Sequence, residues 1–161
     1  MARNLIIVES PAKIRTIREI VGRRFDIRAT LGHIRDIPPN TMGIDIAHNL
    51  RMQFVTIKGR AKAIAEIKSA AQQAEVVFLA TDPDREGEAI AWHVSNLLPT
   101  IKTVRRITFN AITKAEIDRA LQQPTDVDRK LVDAQFARRI IDRLIGYLLS
   151  PEASRHLSDK M

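Results

Sequence analysis

Asp82, Asp84 and Glu86 lie within one five-residue stretch, directly after the apolar run Val76 to Ala80. Carboxylate oxygens gathered in a short turn suit a hard divalent cation. Mg²⁺ typically keeps several waters, takes one or two carboxylates and completes its shell with substrate phosphate oxygens. A turn just past the carboxyl end of a strand is also where ligands bind in open α/β sheets. The same residues have a purely structural use. Asp82 can serve as a helix N-cap with Pro83 at the first helical position, while Asp84, Glu86 and Glu88 offset the helix dipole. Spacing alone leaves both uses open.

The elements around this turn are legible. Val76 to Ala80 reads as a strand buried on both faces, and Ala89, Ile90, Val94, Leu97 and Leu98 give the following helix an apolar stripe. Asn4 to Glu9 reads as an earlier strand of the same kind. Ser10 and Pro11 then open a helix to about Gly22, with Ile14, Ile17, Ile20 and Val21 on its inner face. If both strands share one parallel sheet, Glu9 and the acidic turn meet at the same edge. By itself, Glu9 is an ordinary solvated strand end and Lys13 an exposed helix lysine.

Phe25 to Leu31 predicts another strand, followed by Gly32, His33, Ile34, Arg35 and Asp36 and a loop marked by Pro38, Pro39, Asn40 and Gly43. Phe54 to Ile57 predicts a short strand in a stretch without a strong period. Arg60 to Gln73 predicts a crossover helix, and Val104 to Phe109 a further strand on which Arg105 and Arg106 either approach DNA or alternate along a sheet edge. Strand and helix alternate throughout, so the expected fold is α/β: a mostly parallel, Rossmann-like sheet covered by helices on both faces. Thr113 to Glu116 forms a capping box, and beyond it only helices follow.

The last long helix, Asp128 to Leu149, carries a broad apolar face of Leu131, Ala134, Ala137, Ile141, Leu144, Ile145 and Leu148. Gln135, Arg138, Arg139 and Asp142 stand at i, i+3, i+4 and i+7 and form one polar cluster. An exposed Arg138–Asp142 pair contributes only ~0.3–0.5 kcal/mol. A guanidinium oriented by a carboxylate also suits phosphate recognition, because its planar donor fork matches the oxygens.

Composition narrows the partners. Twenty-six Lys and Arg against nineteen Asp and Glu give a formal charge of +7 over 161 residues, which favours a polyanion, although a ribosomal or merely soluble basic protein shares that balance. Cysteine is absent, which excludes disulfides and thiolate zinc sites and suggests a cytoplasmic location. No leader-like opening or membrane-length apolar run is present, so no membrane association is expected. Aromatics make up only 4%, too few to advertise a base-stacking platform.

Three strings point further. ATDPDREGEAIAWH, from Ala80 to His93, resembles the acidic motif of the Toprim domain in type IA DNA topoisomerases, which cut and pass single DNA strands. Toprim domains in general share only a Glu and an Asp-x-Asp, so the continuation through Arg85, Glu88 and Trp92 is the discriminating part. VDAQFARRIIDRLIGYLLSP, from Val132 to Pro151, is similar to a second segment of the same enzymes, and Gly32 to Pro38 resembles their Gly-His-x-Arg-Asp-Leu-Pro.

The resemblance implies Mg²⁺ as cofactor, held by Glu9, Asp82, Asp84 and Glu86. It implies acid–base chemistry by Glu9 at the scissile phosphate and its 3′ oxygen, with Lys13 of VESPAK close by. Arg138 and Asp142 would position the cleaved strand, and His33, Arg35, Arg85, Gln135 and Arg139 would contact DNA, single-stranded by implication. The resemblance divides the chain into a Toprim domain, 1–118, and the start of a helical DNA-binding domain, 119–161.

In the family a tyrosine in a separate, later domain forms the 5′-phosphotyrosine. Tyr147, the one tyrosine here, does not occupy that position and is expected to pack against the helical core. The chain is thus expected to lack the nucleophile and the remaining topoisomerase domains. A free-standing DNA-binding module and a small Mg²⁺-dependent Toprim nuclease are the alternatives.

Overall fold

A computed structural model describes residues 4–101 and 103–149, the last two of these by backbone alone. In chain order the elements are β1 (Asn4–Val8), α1 (Ala12–Val21), β2 (Phe25–Ala29), β3 (Arg35–Asp36), β4 (Ile44–Asp45), β5 (Arg51–Met52), β6 (Val55–Thr56) and α2 (Ala61–Gln72). There follow β7 (Val77–Ala80), α3 (Arg85–Leu97), β8 (Val104–Arg106), α4 (Lys114–Gln122) and α5 (Arg129–Leu144), the last running into a π-helical turn, Ile145–Leu149.

β2, β1, β7 and β8 lie side by side in that order as a parallel sheet. Side chains alternate across a strand, and the core divides accordingly. Leu5, Ile7, Val77 and Leu79 face α2 and α3, where Ile64, Ile67, Ile90, Ala91 and Val94 meet them. Ile6, Val8, Phe78 and Ala80 face α1 and α4, where Ile17, Val21, Ile117 and Ala120 close the other layer. Both faces being covered explains why these strands read as unbroken apolar runs. Cutting a fully buried Ile7 back to Ala should cost about 2–5 kcal/mol, because the layers on either side cannot close over the gap. The expected α/β class therefore holds, with helices alone at the carboxyl-terminal side.

Two-residue pairings, β3 with β6 and β4 with β5, are antiparallel and form small ribbons beside the sheet. They are too short to leave a periodic signal. Leu31 precedes them in the left-handed region at φ 63°, next to Gly32 at φ 84°. This turn carries the chain from β2 to His33, and Gly32 N–H donates to the Glu9 carbonyl at 3.0 Å.

α5 corrects the sequence expectation. Its buried positions are Val132 and Gln135, with Phe136, Arg139, Ile140, Arg143 and Leu144 half-buried, whereas Leu131, Ile141 and Ile145 of the apolar stripe are exposed. The mixed face wins because partners for it exist. Phe136 meets Trp92 of α3 at 5.1 Å between ring centroids, and Arg139 finds Asp36. Tyr147 is also exposed, at 47%, rather than packed in a core. The Leu148 side chain and residues 150–161 lie outside the described part.

Candidate active site

β1 and β7 are neighbours in register, Val8 opposite Ala80, so each strand delivers its next residues to the same edge of the sheet. Glu9 follows one and Thr81-Asp82-Pro83-Asp84 the other. From α1, Lys13 reaches across and forms an ion pair with Asp82. The Glu9 carboxyl is held above the usual carboxylate range, first by burial and then by the negative charge of Asp82, with Asp84 adding to it. Lys13 and a hydrogen bond from the Asp82 backbone oppose that rise. Glu9, Asp82 and Asp84 therefore share one electrostatic neighbourhood.

The turn itself is tightly made. Asp84, not Asp82, is the N-cap of α3, its Oδ1 accepting the Gly87 N–H at 2.7 Å. Thr81 Oγ1 donates to the Gly87 carbonyl at 2.6 Å. A Cβ on Gly87 would sit 2.1 Å from the Asp82 carbonyl oxygen, so only glycine lets the helix come this close to the turn. Glu86, exposed in the first turn of α3, looks toward a different place: a cavity between α3, α5 and the β3–β6 ribbon. Among the described residues no three His, Cys, Asp or Glu side chains already stand as a metal cluster. The expected set of four carboxylates is thus gathered only in part, as Glu9, Asp82 and Asp84, with Glu86 aside.

Beneath the turn lies Arg106, for which both approach to DNA and alternation along a sheet edge are open from sequence. Arg106 is 1% exposed and donates to Glu88 Oε2 at 2.9 Å and to the carbonyls of Leu79, Thr81, Asp82 and Ile107 at 2.7–2.9 Å. Three of those carbonyls belong to the strand end and turn that carry Asp82. Glu88, one of the acids that could offset the helix dipole, is buried, and its Oε1 accepts the Asp128 N–H at 2.7 Å at the start of α5. The available signal was period two: consecutive arginines on a strand must face opposite ways. Arg105 is the outward one, paired with exposed Asp126.

The remaining expected contacts separate into two groups. His33, Arg35, Gln135 and Arg139 line the cavity of about 330 Å³ beside Glu86, together with Phe54, His93 and Phe136. Arg35 donates to the Phe54 carbonyl at 3.1 Å, and Arg139 grips Asp36 through bonds of 3.2 and 2.6 Å. Arg85, Arg138 and Asp142 are exposed outside it. Arg138 and Asp142 approach only to 3.9 Å without a hydrogen bond, leaving the guanidinium donors open to solvent. The single polar cluster expected on α5 is thus split, Gln135 and Arg139 turning inward and Arg138 and Asp142 outward.

His93 and Phe54 were not singled out by sequence. The His93 ring is lowered to a pKa of about 4, chiefly by burial and then by the positive charge of Arg35 and His33, so it is neutral near pH 7.

The family model described as Toprim domain matches residues 4–112. Among solved structures, full-length topoisomerase I from Thermotoga maritima, in a monoclinic crystal form, matches with a TM-score of 0.86 and 44% identity. That match covers 91% of this chain and 25% of the other, so this chain spans about a quarter of its length.

Proposed function

We propose, from the premise that this chain belongs to the Toprim domain family, that it forms the Toprim part of a type IA DNA topoisomerase and acts on a single DNA strand with Mg²⁺. The observation that carries this reading is the meeting of Glu9, Lys13, Asp82 and Asp84 at the carboxyl ends of two adjoining parallel strands. Burial first, and then the charges of Asp82 and Asp84, raise the Glu9 pKa, and acids gathered in that way fit a hard cation: Asp82 and Asp84 would hold it, with Glu9 joining them when ionised. Bound there, Mg²⁺ would offset charge developing on phosphate oxygens during transesterification.

The chain's own residues supply the rest. A Glu9 carboxyl with a raised pKa keeps its proton to higher pH and can return it to a departing 3′ oxygen. Lys13 neutralises Asp82 and brings an ammonium to the same edge. Arg106 fixes the turn from below through its bonds to the backbone. Arg138 and Arg85, with open donors on the surface, take phosphates of the strand, and Asp142 lies 3.9 Å from Arg138. Cleavage and religation through a 5′-phosphotyrosine belong to the complete enzyme, and we assign Tyr147 no nucleophilic role. Basic charge and DNA as partner favour the cytoplasm.

The test is incubation of the chain with labelled single strands and with supercoiled DNA, with and without Mg²⁺, followed by binding measurements and denaturing electrophoresis. Salt-sensitive binding to single strands, with neither nicks nor adducts, is the expected result, together with Mg²⁺ affinity that disappears in Asp84→Asn. Nicking that Asp84→Ala removes would make the chain a nuclease. An adduct lost on Tyr147→Phe would make Tyr147 the nucleophile. DNA binding with no Mg²⁺ affinity at all would reduce it to a binding module.

A further inference from the structure

The two carboxylate oxygens of Glu88 serve different parts of the molecule. Oε2 accepts the Arg106 Nε–H at 2.9 Å, and Oε1 accepts the Asp128 N–H at 2.7 Å, at the N-cap of α5. From Arg106 the path continues to the carbonyls of Thr81 and Asp82, at 2.9 and 2.8 Å, in the acidic turn. The Arg106 backbone also exchanges two bonds of 2.8 Å with Thr125, just ahead of that N-cap. One continuous path of hydrogen bonds thus joins the start of α5 to the turn that carries Asp82 and Asp84. The Arg106 and Glu88 side chains are both buried. Away from water a half-satisfied ionic network is disfavoured, so its bonds tend to form or break together. Of the 16 residues of α5 only Val132 and Gln135 are buried, so the seating of this helix depends on such ties.

We propose that Glu88 is a positioning residue that couples the seating of α5 to the geometry of the acidic turn, so that a DNA strand held along α5 tightens Mg²⁺ binding at Asp82 and Asp84. This rests on the reading of the chain as a Mg²⁺-dependent single-strand binder. The coupling is reciprocal: Mg²⁺ in the turn steadies the start of α5 and raises affinity for the strand by the same factor. Phosphate oxygens that complete the metal shell add a direct coupling, but that route does not pass through Glu88.

Two substitutions at Asp128 separate the routes. Asp128→Pro removes the N–H that Glu88 accepts, and the φ of −77° at this position suits proline. Asp128→Ala keeps the N–H, and both variants lose the capping carboxylate. Calorimetric titration of Mg²⁺ with and without a single-stranded oligonucleotide, after subtraction of the uptake by the oligonucleotide itself, gives a coupling factor for each chain. The parent and Asp128→Ala should bind Mg²⁺ roughly 5- to 150-fold more tightly with the strand present. Asp128→Pro should show a smaller factor. Equal factors in folded Asp128→Pro and Asp128→Ala would overturn the proposal while leaving the proposed function standing. The unmodified chain supplies a second measurement with no DNA present: its Asp128 amide resonance should move on titration with Mg²⁺ alone, at the same midpoint as the resonances of the turn. An Asp128 resonance that stays in place while the turn saturates would overturn the coupling, even if Asp128→Pro misfolds. Absence of any Mg²⁺ affinity would remove the proposed function and this inference together.

Discussion

Asp84 Oδ1 accepts the Gly87 N–H at 2.7 Å, so one carboxylate assigned to the metal also starts helix α3. The cap does not preclude the proposed metal role, since a carboxylate has a second oxygen free for a cation.

They can be separated by substitution. Asp84→Asn keeps a good N-cap and should leave the melting temperature nearly unchanged, whereas Asp84→Ala should cost about 1 kcal/mol. Calorimetric titration should find Mg²⁺ affinity lost in both. If Asp84→Asn binds Mg²⁺ as the parent does, the cap is the whole role of this residue.

Arg138 should carry a phosphate contact. Its nearest acid is 3.9 Å away and both side chains are more than half exposed, so little folding energy is at stake. Arg138→Ala should leave stability within about 0.5 kcal/mol of the parent. The slope of log affinity against log salt for single strands should fall by about 0.7, the value for one phosphate. An unaltered slope would return Arg138 to the ordinary surface.

Acid stability should show two opposed contributions. His93 has a folded pKa of about 4 against 6.5 unfolded, so the unfolded chain binds its proton more readily. Its contribution, on the order of 3 kcal/mol, is complete above pH 6.5 and is lost as pH falls toward 4. Glu9 runs the other way. Its folded pKa is raised above 4.5, so the folded chain holds the proton more tightly and stability declines as pH rises from 4.5 through the folded value. Melting curves against pH should therefore show Glu9→Gln more stable than the parent at pH 7, and His93→Phe with a weaker loss between pH 6.5 and 4. A Glu9→Gln variant less stable at pH 7 would contradict the burial argument.

Arg106→Met should be severe. It leaves Glu88 charged and buried without its cation, a loss of about 3–5 kcal/mol, and strips the turn's carbonyls of their donor. Arg106→Met with Glu88→Leu should recover part of that in denaturant unfolding. A single variant within about 1 kcal/mol of the parent would show that the buried pair holds nothing.

Much of this fold is written in periodicity. β1 and β7 are apolar without a break because both faces are covered, and Ile17 and Val21 mark the inner side of α1. Glu9 and the acidic turn could be matched because each follows such a strand. What escaped depends on three-dimensional partners. The α5 stripe of Leu131, Ile141 and Ile145 predicted the wrong inner face, since Asp36 and Trp92 offer better company to Arg139 and Phe136. Arg106 looked like a surface cation because its partners are backbone carbonyls, which have no side-chain signature. The cavity was illegible because Phe54, His93 and Gln135 come from three distant segments.

The bond from Asp128 N–H to Glu88 Oε1 spans 40 residues and ties the N-cap of the long helix to a carboxylate that also holds Arg106. Deuterium cannot replace that amide proton while the charged acceptor covers it. Its exchange rate therefore reports how often the start of α5 lifts from α3, one proton acting as a clock for that opening. Slower exchange with single-stranded DNA present would mean that the strand clamps the helix as well as contacting its surface.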